Sequence, residues 1–296
     1  MTRGGIVALA GRPNVGKSTF VNAVVGEKIA IVSDRPQTTR RAIRGIYEHE
    51  QCQIVLVDLP GVQRPRDALT ARMARRVQQE LDGSDATLLM VNAQQGVGPG
   101  DRFIANTLTS AGVPVTIAVN KIDRLSRGPL IAALDHAAAL DTRAEVFPIS
   151  ARTGAGVQEL LDHLSALMPE GPFLFESGAS SDQPQELLLA ELIREAAIRR
   201  TFHELPHAVE VVVEEVQRSD GATGELTRVR ALIWVESESQ KGILIGARGQ
   251  MIKAIGSAAR RELQRALGGR VHLDLTVRVR RDWRADERLL DRLGIY

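Results

Sequence analysis

The clearest chemical signal in this sequence is Gly-Arg-Pro-Asn-Val-Gly-Lys-Ser-Thr at residues 11–19, which follows an apolar run at residues 6–10. It fits the pattern G-x-x-x-x-G-K-[ST], in which glycines let backbone N–H groups surround an oxyanion. Lys17 would reach the β- and γ-phosphates of a nucleotide, and the Ser18 hydroxyl would bind magnesium. A strand before such a loop and a helix after it are the context that the motif requires. The sequence therefore predicts a nucleoside triphosphate site.

A second motif would read the base. Asn-Lys-Ile-Asp at residues 120–123 follows the apolar run at residues 115–119. The Asp123 carboxylate can accept hydrogen bonds from both guanine N1–H and the exocyclic amine, a donor pair that adenine lacks. Ser-Ala-Arg at residues 150–152 would place a backbone N–H against guanine O6. The motifs together predict GTP rather than ATP.

A third motif, Asp-Leu-Pro-Gly, runs from Asp58 to Gly61 and follows another apolar run. We expect Asp58 to hold magnesium through water and the Gly61 N–H to sense the γ-phosphate. Residues 34–40 form a polar, proline-interrupted segment without periodicity, which is typical of a switch segment. We favour Thr39 over Thr38 as its magnesium ligand.

Hydrolysis requires a positioned water and neutralisation of the developing charge. Val62 stands where Ras-like enzymes have a water-orienting glutamine, so we expect slow intrinsic turnover or help from another group. Asn14 is one candidate helper, because a loop asparagine in this setting resembles that of potassium-assisted GTPases. A plain loop-capping asparagine is an equally good interpretation.

The predicted site residues divide into three overlapping groups. Nucleotide contacts are expected from Gly11, Asn14, Val15, Gly16, Lys17, Ser18, Thr19, Asp58, Gly61, Asn120, Lys121, Asp123, Ser150, Ala151 and Arg152. Magnesium is expected at Ser18, Thr39 and Asp58, and the residues assigned to hydrolysis are Lys17, Thr39 and Gly61.

A separate motif, Gly-Ala-Arg-Gly at residues 246–249, lies between two stretches of helical character. A Gly-x-x-Gly turn between helices lets an RNA backbone approach closely, as in KH modules that clamp about four nucleotides. The apolar groove wall is expected from Ile243, Leu244, Ile245 and Ile252, and charge from Lys241, Arg248, Lys253, Arg260 and Arg261. The predicted RNA contacts are Lys241, Ile245, Gly246, Ala247, Arg248, Gly249 and Lys253. A structural appendage without RNA remains the alternative.

The elements that must position these motifs follow from periodicity. Short apolar runs alternate with helical patterns up to residue 167, which predicts an α/β doubly wound, mostly parallel sheet of the P-loop GTPase type. Residues 41–49 add one antiparallel edge strand. Beyond residue 186, a helix, strands at 208–216 and 228–235 with a turn at 219–221, and a strand at 271–279 predict a smaller α+β domain of KH type.

Length and composition agree with two domains. The chain has 296 residues, 44% hydrophobic and 25% charged, and a single cysteine, Cys52. This predicts a GTPase domain at 1–170, a linker at 171–185 and an RNA-binding KH domain at 186–296. The cysteine usage and the short N-terminal apolar run lead us to expect a cytoplasmic protein without an anchor. Between residues 241 and 281 there are ten Lys/Arg and two acids, the footprint of a polyanion site.

The combination of motifs resembles the Era family of bacterial GTPases. The resemblance rests on residues 11–19, Pro-Gln-Thr-Thr-Arg at 36–40, Asp-x-Pro-Gly at 58–61, Asn-Lys-Ile-Asp at 120–123, Ser-Ala-Arg at 150–152, Leu-Ile-Gly-Ala-Arg-Gly-Gln-Met-Ile-Lys at 244–253, and Trp-Arg-Ala-Asp-Glu-Arg at 283–288. It spans essentially the whole chain. One departure is Leu59, where the family usually has threonine, and we expect altered switch packing there rather than lost nucleotide binding.

The resemblance implies a GTP-hydrolysing switch in small (30S) ribosomal subunit assembly, whose KH domain holds the single-stranded 3′ end of 16S rRNA. It implies GTP/GDP, Mg²⁺ and a possible K⁺ as cofactors, a monomer, and no DNA partner. Peripheral association with the inner face of the membrane is attributed to the family, but the sequence offers no amphipathic anchor for it.

Two other functions stay open at this point. In one, GTP is a slowly exchanged structural ligand and RNA binding is constitutive. In the other, the chain is a membrane-associated or cell-cycle signalling GTPase that acts through protein effectors, and the basic residues of the Gly-x-x-Gly region have no part in its function.

Overall fold

The computed structural model describes residues 1–33, 39–61, 67–141, 143–201, 205–221 and 224–295. Its contacts divide the chain into two units. The first contains Met1–Ala30 and Thr39–Asp182, and the second contains Ile31–Thr38 and Gln183–Ile295. Among the helices of the described residues, none has the length and apolar character to cross a membrane.

The first unit is built on a sheet that has six strands in its described residues, in the order β2-β3-β1-β4-β5-β6. Only the β2 to β3 pairing is antiparallel among these strands, which confirms the predicted edge strand and the mostly parallel fold class. The strands are β1 (Arg3–Ala10), β2 (Ile43–His49), β3 (Cys52–Asp58), β4 (Ala86–Asn92), β5 (Val115–Asn120) and β6 (Glu145–Ile149).

Helices cover both faces of this sheet. Alternating residues of the buried strands point to opposite faces, so Val7 and Leu9 belong to one apolar cluster and Ala8 and Ala10 to the other. The helices are α1 (Lys17–Val25), α2 (Ala68–Asp82), α3 (Pro99–Ala111), α4 (Arg127–Ala138) and α5 (Val157–Leu167). Residues of α1 and α5 pack in the first cluster, and residues of α2, α3 and α4 pack in the second.

The predicted linker at 171–185 has its own hydrogen bonds. The buried Gln53 side chain of β3 accepts from the backbone N–H groups of Leu174 and Phe175, both at 2.9 Å. The N–H of Ile46 on β2 donates to the Ser180 carbonyl at 2.9 Å. Residues 171–182 are therefore part of the first unit.

The second unit has a sheet that contains three strands in its described residues, in the order β7-β8-β9. The β7 to β8 pairing is antiparallel, and β8 and β9 are parallel. The elements are α6 (Gln185–Ile198), α7 (Leu205–Ala208), β7 (Glu210–Gly221), β8 (Gly224–Val235), α8 (Glu238–Ile245), α9 (Gln250–Leu267), β9 (Arg270–Val279) and α10 (Glu287–Arg292). The helices α6, α8 and α9 pack their apolar residues on one face of this sheet. This confirms the predicted smaller α+β domain of KH type.

Two local predictions in the second unit are wrong. The sequence predicts a turn between strands at residues 219–221, but β7 continues to Gly221, with Ser219 paired to Leu226 and Asp220 to Glu225. Ser, Asp and Gly are typical of turns, but each can also pair its backbone in an antiparallel ladder. Leu244 is predicted to line the RNA groove, but it is fully buried in the apolar cluster under the sheet.

Candidate functional site

The phosphate loop joins β1 to α1, at the carboxyl edge of the sheet. Its backbone takes positive φ values at Gly11 (149°), Asn14 (63°) and Gly16 (108°). Two of the glycines are also required by space, because a Cβ on Gly11 would lie 2.5 Å from the Met90 carbonyl oxygen and one on Gly16 would collide with the Asn120 side-chain amide. The loop is thus wrapped tightly over the sheet edge before α1 begins, which suits a cradle of backbone N–H groups for phosphates.

The three predicted magnesium ligands meet beside this loop. Ser18 Oγ donates to Asp58 Oδ2 at 2.6 Å and lies 3.2 Å from Thr39 Oγ1, which is itself 3.5 Å from the same carboxylate oxygen. The other oxygen, Asp58 Oδ1, is buried and has no hydrogen-bond partner among the described residues. Mg²⁺ prefers oxygen ligands, and a buried carboxylate oxygen without a hydrogen-bond partner is available to a cation. These three residues therefore fit that ion.

Lys17 and Asp58 are both buried, and their charges act on each other. Burial lowers the pKa of the Lys17 ammonium, and the charge of Asp58 opposes that shift. Burial raises the pKa of the Asp58 carboxyl, and Lys17 with the Ser18 hydroxyl opposes it. Lys17 Nζ donates to the Gly11 carbonyl at 3.2 Å, inside the curl of the loop. A weakly hydrated ammonium held there is placed to interact strongly with phosphate oxygens.

Asn120 and Lys121 connect the base-reading motif to the phosphate loop. Asn120 Nδ2 donates to the Val15 carbonyl at 2.8 Å, and its Oδ1 accepts from the Ala151 N–H at 3.0 Å. Lys121, in the left-handed conformation, donates from Nζ to the Asn14 carbonyl at 2.7 Å. The two side chains therefore fix three loops that are remote in sequence into one site.

Asp123 is held by two side chains from the next loop. Its Oδ1 accepts from Ser150 Oγ at 2.6 Å, and its Oδ2 lies 2.6 Å from Arg152 Nη2. The Ser150 hydrogen bond, followed by the charge of Arg152, lowers the pKa of the Asp123 carboxyl. An ionised carboxylate accepts hydrogen bonds only, which is the polarity that a guanine edge requires.

The turn between α8 and α9 carries the second predicted site. The Gly246 N–H donates to Gly242 O at 2.9 Å and the Gly249 N–H to Gly246 O at 3.1 Å, so the turn is closed by its own backbone. Arg248 lies at its tip in the left-handed conformation (φ 52°, ψ 28°) and is exposed. The structure therefore presents the Arg248 side chain to solvent.

Positive charge is concentrated around this turn. The first turn of α9 contains no acidic residue, and Lys253 is exposed there. The N-terminal end of this helix adds a partial positive charge. Lys241 is half-buried and lies 3.8 Å from Glu238. Ile243 is 53% exposed beside the turn, an unusual position for a large apolar side chain. Ile245, Gly246 and Gly249 are partly exposed and Ala247 is exposed, so the predicted contacts surround one open surface.

Some predictions fall on other parts of the chain. Thr38, Val62 and the rest of 34–38 lie outside the described residues. Leu59 is fully buried in the apolar cluster that also contains Val57 and Val77, so its side chain belongs to the core rather than to the phosphate site. Sequence reasoning missed a contact of the phosphate loop, the ion pair of Arg12 with Asp101. These residues are far apart in the chain and belong to no shared motif, so spacing carried no signal for it.

Comparison with known families assigns both halves of the chain. Residues 6–121 match the family described as 50S ribosome-binding GTPase, and residues 204–284 match the KH domain family. The GTPase Era of Mycobacterium tuberculosis H37Rv is 45% identical over 294 residues, which cover 98% of each chain. The chain belongs to the Era family of GTPases.

Other members of the Era family agree with this assignment. The GTPase Era of Carboxydothermus hydrogenoformans is 44% identical over 285 residues, covering 95% of this chain and 94% of the relative. A crystal structure of Era with MgGDPNP and nucleotides 1506–1542 of 16S ribosomal RNA matches at a TM-score of 0.94 and 34% identity, covering 100% of this chain and 99% of that one. A variant of Aquifex aeolicus Era bound to GDP·AlF4⁻ matches equally well, with a TM-score of 0.94 and 34% identity over 99% of each chain. GTP and GDP are the nucleotides of this family.

Proposed function

We propose that this GTPase is a molecular switch that holds the single-stranded 3′ end of 16S rRNA in its KH unit and acts in assembly of the small ribosomal subunit. One observation carries the proposal. The whole chain, including both candidate sites, matches the structure of Era bound at once to MgGDPNP and to nucleotides 1506–1542 of 16S ribosomal RNA. This function places the protein in the cytoplasm, where ribosomes are assembled.

The proposed nucleotide site follows the geometry described above. Backbone groups of the loop at Gly11, Asn14, Val15, Gly16 and Thr19 surround the phosphates, and Lys17 supplies charge to them. Asp123 reads the guanine edge, held by Ser150 and Arg152. The Ala151 N–H, which donates to Asn120 Oδ1 in this structure, would be shared with guanine O6. Asn120 and Lys121 hold the base-reading loop against the phosphate loop.

Ser18, Thr39 and Asp58 would hold the magnesium ion, whose charge neutralises the phosphate oxygens as the terminal bond breaks. Lys17 stabilises the same charge from the loop. The N–H of Gly61, at the end of the Asp-Leu-Pro-Gly segment, faces the terminal phosphate. Thr39 belongs to the switch segment, so its position depends on which nucleotide is bound.

The proposed RNA site is the open surface around the α8 to α9 turn. Arg248 and Lys253 contact phosphates together with the N-terminal end of α9, and Lys241 adds charge from α8. The RNA backbone can come close to the turn because Gly246 and Gly249 have no side chain and Ala247 has a small one. Ile245 contacts bases.

Replacement of a turn glycine tests the RNA site. Gly249→Asp should weaken binding of a fluorescent oligonucleotide with the 3′-terminal 16S sequence by about tenfold or more, because it adds bulk and negative charge where phosphates approach. GTP hydrolysis without RNA should be unchanged. Gly268→Asp is a matched control, since Gly268 ends the same helix in the same left-handed conformation (φ 67°) and has open space around it. If Gly249→Asp binds RNA as tightly as Gly268→Asp and the original protein do, the turn is not the RNA site, which favours a GTPase that acts through protein effectors.

We also infer that Asn14 assists hydrolysis by helping to hold a potassium ion beside the phosphates. Its left-handed backbone and the Lys121 bond to its carbonyl fix it at the mouth of the loop. Single-turnover hydrolysis should fall several-fold when sodium replaces potassium, and Asn14→Ala should remove that difference. A rate that is equal in both salts would leave Asn14 as a loop-capping residue.

A further inference from the structure

Arg12 is the second residue of the phosphate loop, yet its side chain is directed toward α3. Its Nε atom lies 2.8 Å from Asp101 Oδ2, and its Nη2 donates to the Gly96 carbonyl at 3.0 Å. Asp101 is fully buried, while the Arg12 side chain is 27% exposed. Among the described residues, Arg12 is the ion-pair partner of Asp101, so this buried carboxylate depends strongly on that arginine for its charge balance.

The start of α3 is shaped to receive this arginine. A Cβ on Gly100 would lie 2.9 Å from Arg12 Cδ, and one on Gly98 would lie 3.6 Å from Arg12 Nη1. Asp101 Oδ2 also accepts the Gly98 N–H at 2.8 Å, so the same carboxylate caps the helix. The guanidinium therefore lies across the first turn of α3 and is fixed by a rigid element.

The other side of the same loop faces the groups assigned to the chemistry. The Arg12 carbonyl lies 3.4 Å from Lys17 Nζ and accepts a hydrogen bond from it. The neighbouring Pro13 packs on Gly61, where an added Cβ would lie 2.9 Å from Pro13 Cγ. The backbone at residues 12 and 13 thus sets where Lys17 and Gly61 stand with respect to each other.

We propose that Arg12 and Asp101 are positioning residues for GTP hydrolysis, which anchor the phosphate loop to α3 so that Lys17 and Gly61 stay aligned on the terminal phosphate. Hydrolysis is sensitive to displacements of about 1 Å, which can change a rate by ~100-fold. Nucleotide affinity is spread over many loop N–H groups and the base contacts, so it tolerates such a displacement better. The pair should therefore act on the rate of the chemical step more than on binding.

Single-turnover GTP hydrolysis and GDP affinity, measured on the full chain, test this proposal. Arg12→Ala and Asp101→Asn should each slow hydrolysis by about tenfold to 100-fold, in line with a small misplacement. The dissociation constant for GDP should change by less than about threefold. Asp101→Asn retains an oxygen that can accept the Gly98 N–H, so it removes the charge while keeping a helix cap. Arg12→Lys keeps the charge and should recover part of the rate.

Coupling between the two residues is the decisive measurement. The double variant should be no slower than the slower single variant, because both changes break one interaction. Arg143→Ala is the matched control. Arg143 forms an ion pair with Asp141 at 3.4 Å in the same unit, but its side chain is 74% exposed. The hydrolysis rate of this variant should equal that of the original protein. Thermal unfolding of each variant identifies those that fold. If Arg12→Ala does not fold, the hydrolysis rates of Asp101→Asn and Arg12→Lys test the proposal. Rates that multiply in the double variant, an equal loss of rate and affinity, or an unchanged rate in the folded variants would overturn the proposal.

Discussion

The neighbours of Asp123 outweigh the opposing effect of desolvation on its pKa. The Ser150 hydroxyl and the Arg152 guanidinium both favour the charged carboxylate and lower its pKa. Because the folded-state pKa lies below the unfolded value of about 3.9, the carboxylate contributes stability above that value. The contribution is lost as the pH falls through the lower folded pKa. Guanine recognition by Asp123 should accordingly persist to mildly acidic pH.

Ser150→Ala tests this control directly. Removing the largest cause of the shift should raise the pKa of Asp123 toward its ordinary value, as read from the titration of its carboxyl carbon by NMR. Ser165→Ala is the control, because that hydroxyl donates to the Leu161 carbonyl within α5 and does not contact Asp123. A pKa of Asp123 that is equal in both variants would mean that Ser150 does not hold the carboxylate.

At this scale, motifs predicted the types of residues that meet but not all of their contacts. The spacing placed Ser18, Thr39 and Asp58 together, and the structure has their oxygens within 3.5 Å of one another. The Arg12 to Asp101 pair could not be predicted, because it joins a motif residue to a helix residue that has no motif. Their contact depends on how α3 packs beside the loop, which is a tertiary property.

At the scale of elements, the α8 to α9 connection depends on two glycines that are not equivalent. Gly246 has φ 70° and ψ 172°, a region essentially restricted to glycine, and a Cβ there would lie 2.7 Å from Met251 Cβ. Gly249 has φ 73° and ψ 14°, an ordinary left-handed conformation. A Cβ added there would lie 4.0 Å from its nearest neighbour, Ile252 Cγ2. Only the first position combines backbone strain with a steric conflict.

Alanine at each position should separate these effects. Gly249→Ala should lower the free energy of unfolding by about 1–2 kcal/mol, the cost of a left-handed non-glycine residue. Gly246→Ala should cost about 3 kcal/mol, because strain in the rarer region adds to the conflict with Met251. Urea unfolding of the two variants measures the difference. A smaller loss for Gly246→Ala than for Gly249→Ala would contradict the assigned backbone conformations.

Local patterns predicted the elements well where burial alternates regularly. The strand β9 was recognised from alternating apolar residues, and β2 from its position before β3. The parallel pairing of β8 with β9 was not predicted, because it joins strands that are separated by α8 and α9. The predicted linker includes residues 171–182, but their contacts with Gln53 and Ile46 were not predicted. Those contacts depend on the sheet edge and not on the Pro/Gly/Ser composition of the segment.

At the scale of the whole molecule, the described residues that directly precede and follow 34–38 belong to different units. Ile31–Thr38 is assigned to the second unit, while Thr39 belongs to the first and contacts Ser18. Ile31 is buried in the apolar cluster of the second unit, and the Val32 N–H donates to Glu195 Oε1 of α6 at 3.2 Å. Glu195 also forms an ion pair with Arg199 at 2.7 Å. Val32 of the second unit and Thr39 of the first are seven positions apart in the sequence.

This short separation in sequence leads us to expect that nucleotide and RNA affinity are coupled. The full chain should bind the 3′-terminal 16S oligonucleotide about tenfold more tightly with GDPNP than with GDP, which corresponds to ~1.4 kcal/mol. By linkage, the RNA must then increase the preference for GDPNP over GDP by the same factor, so the two independent titrations check each other. Thr39→Ala should remove most of this ratio by weakening the response to the γ-phosphate. Thr107→Ala is the control and should retain the ratio, because it removes an exposed hydroxyl of α3 that donates to the Phe103 carbonyl. An RNA affinity that is equal with both nucleotides would mean that RNA binding is constitutive and GTP a structural ligand, because a ligand without differential affinity shifts no equilibrium.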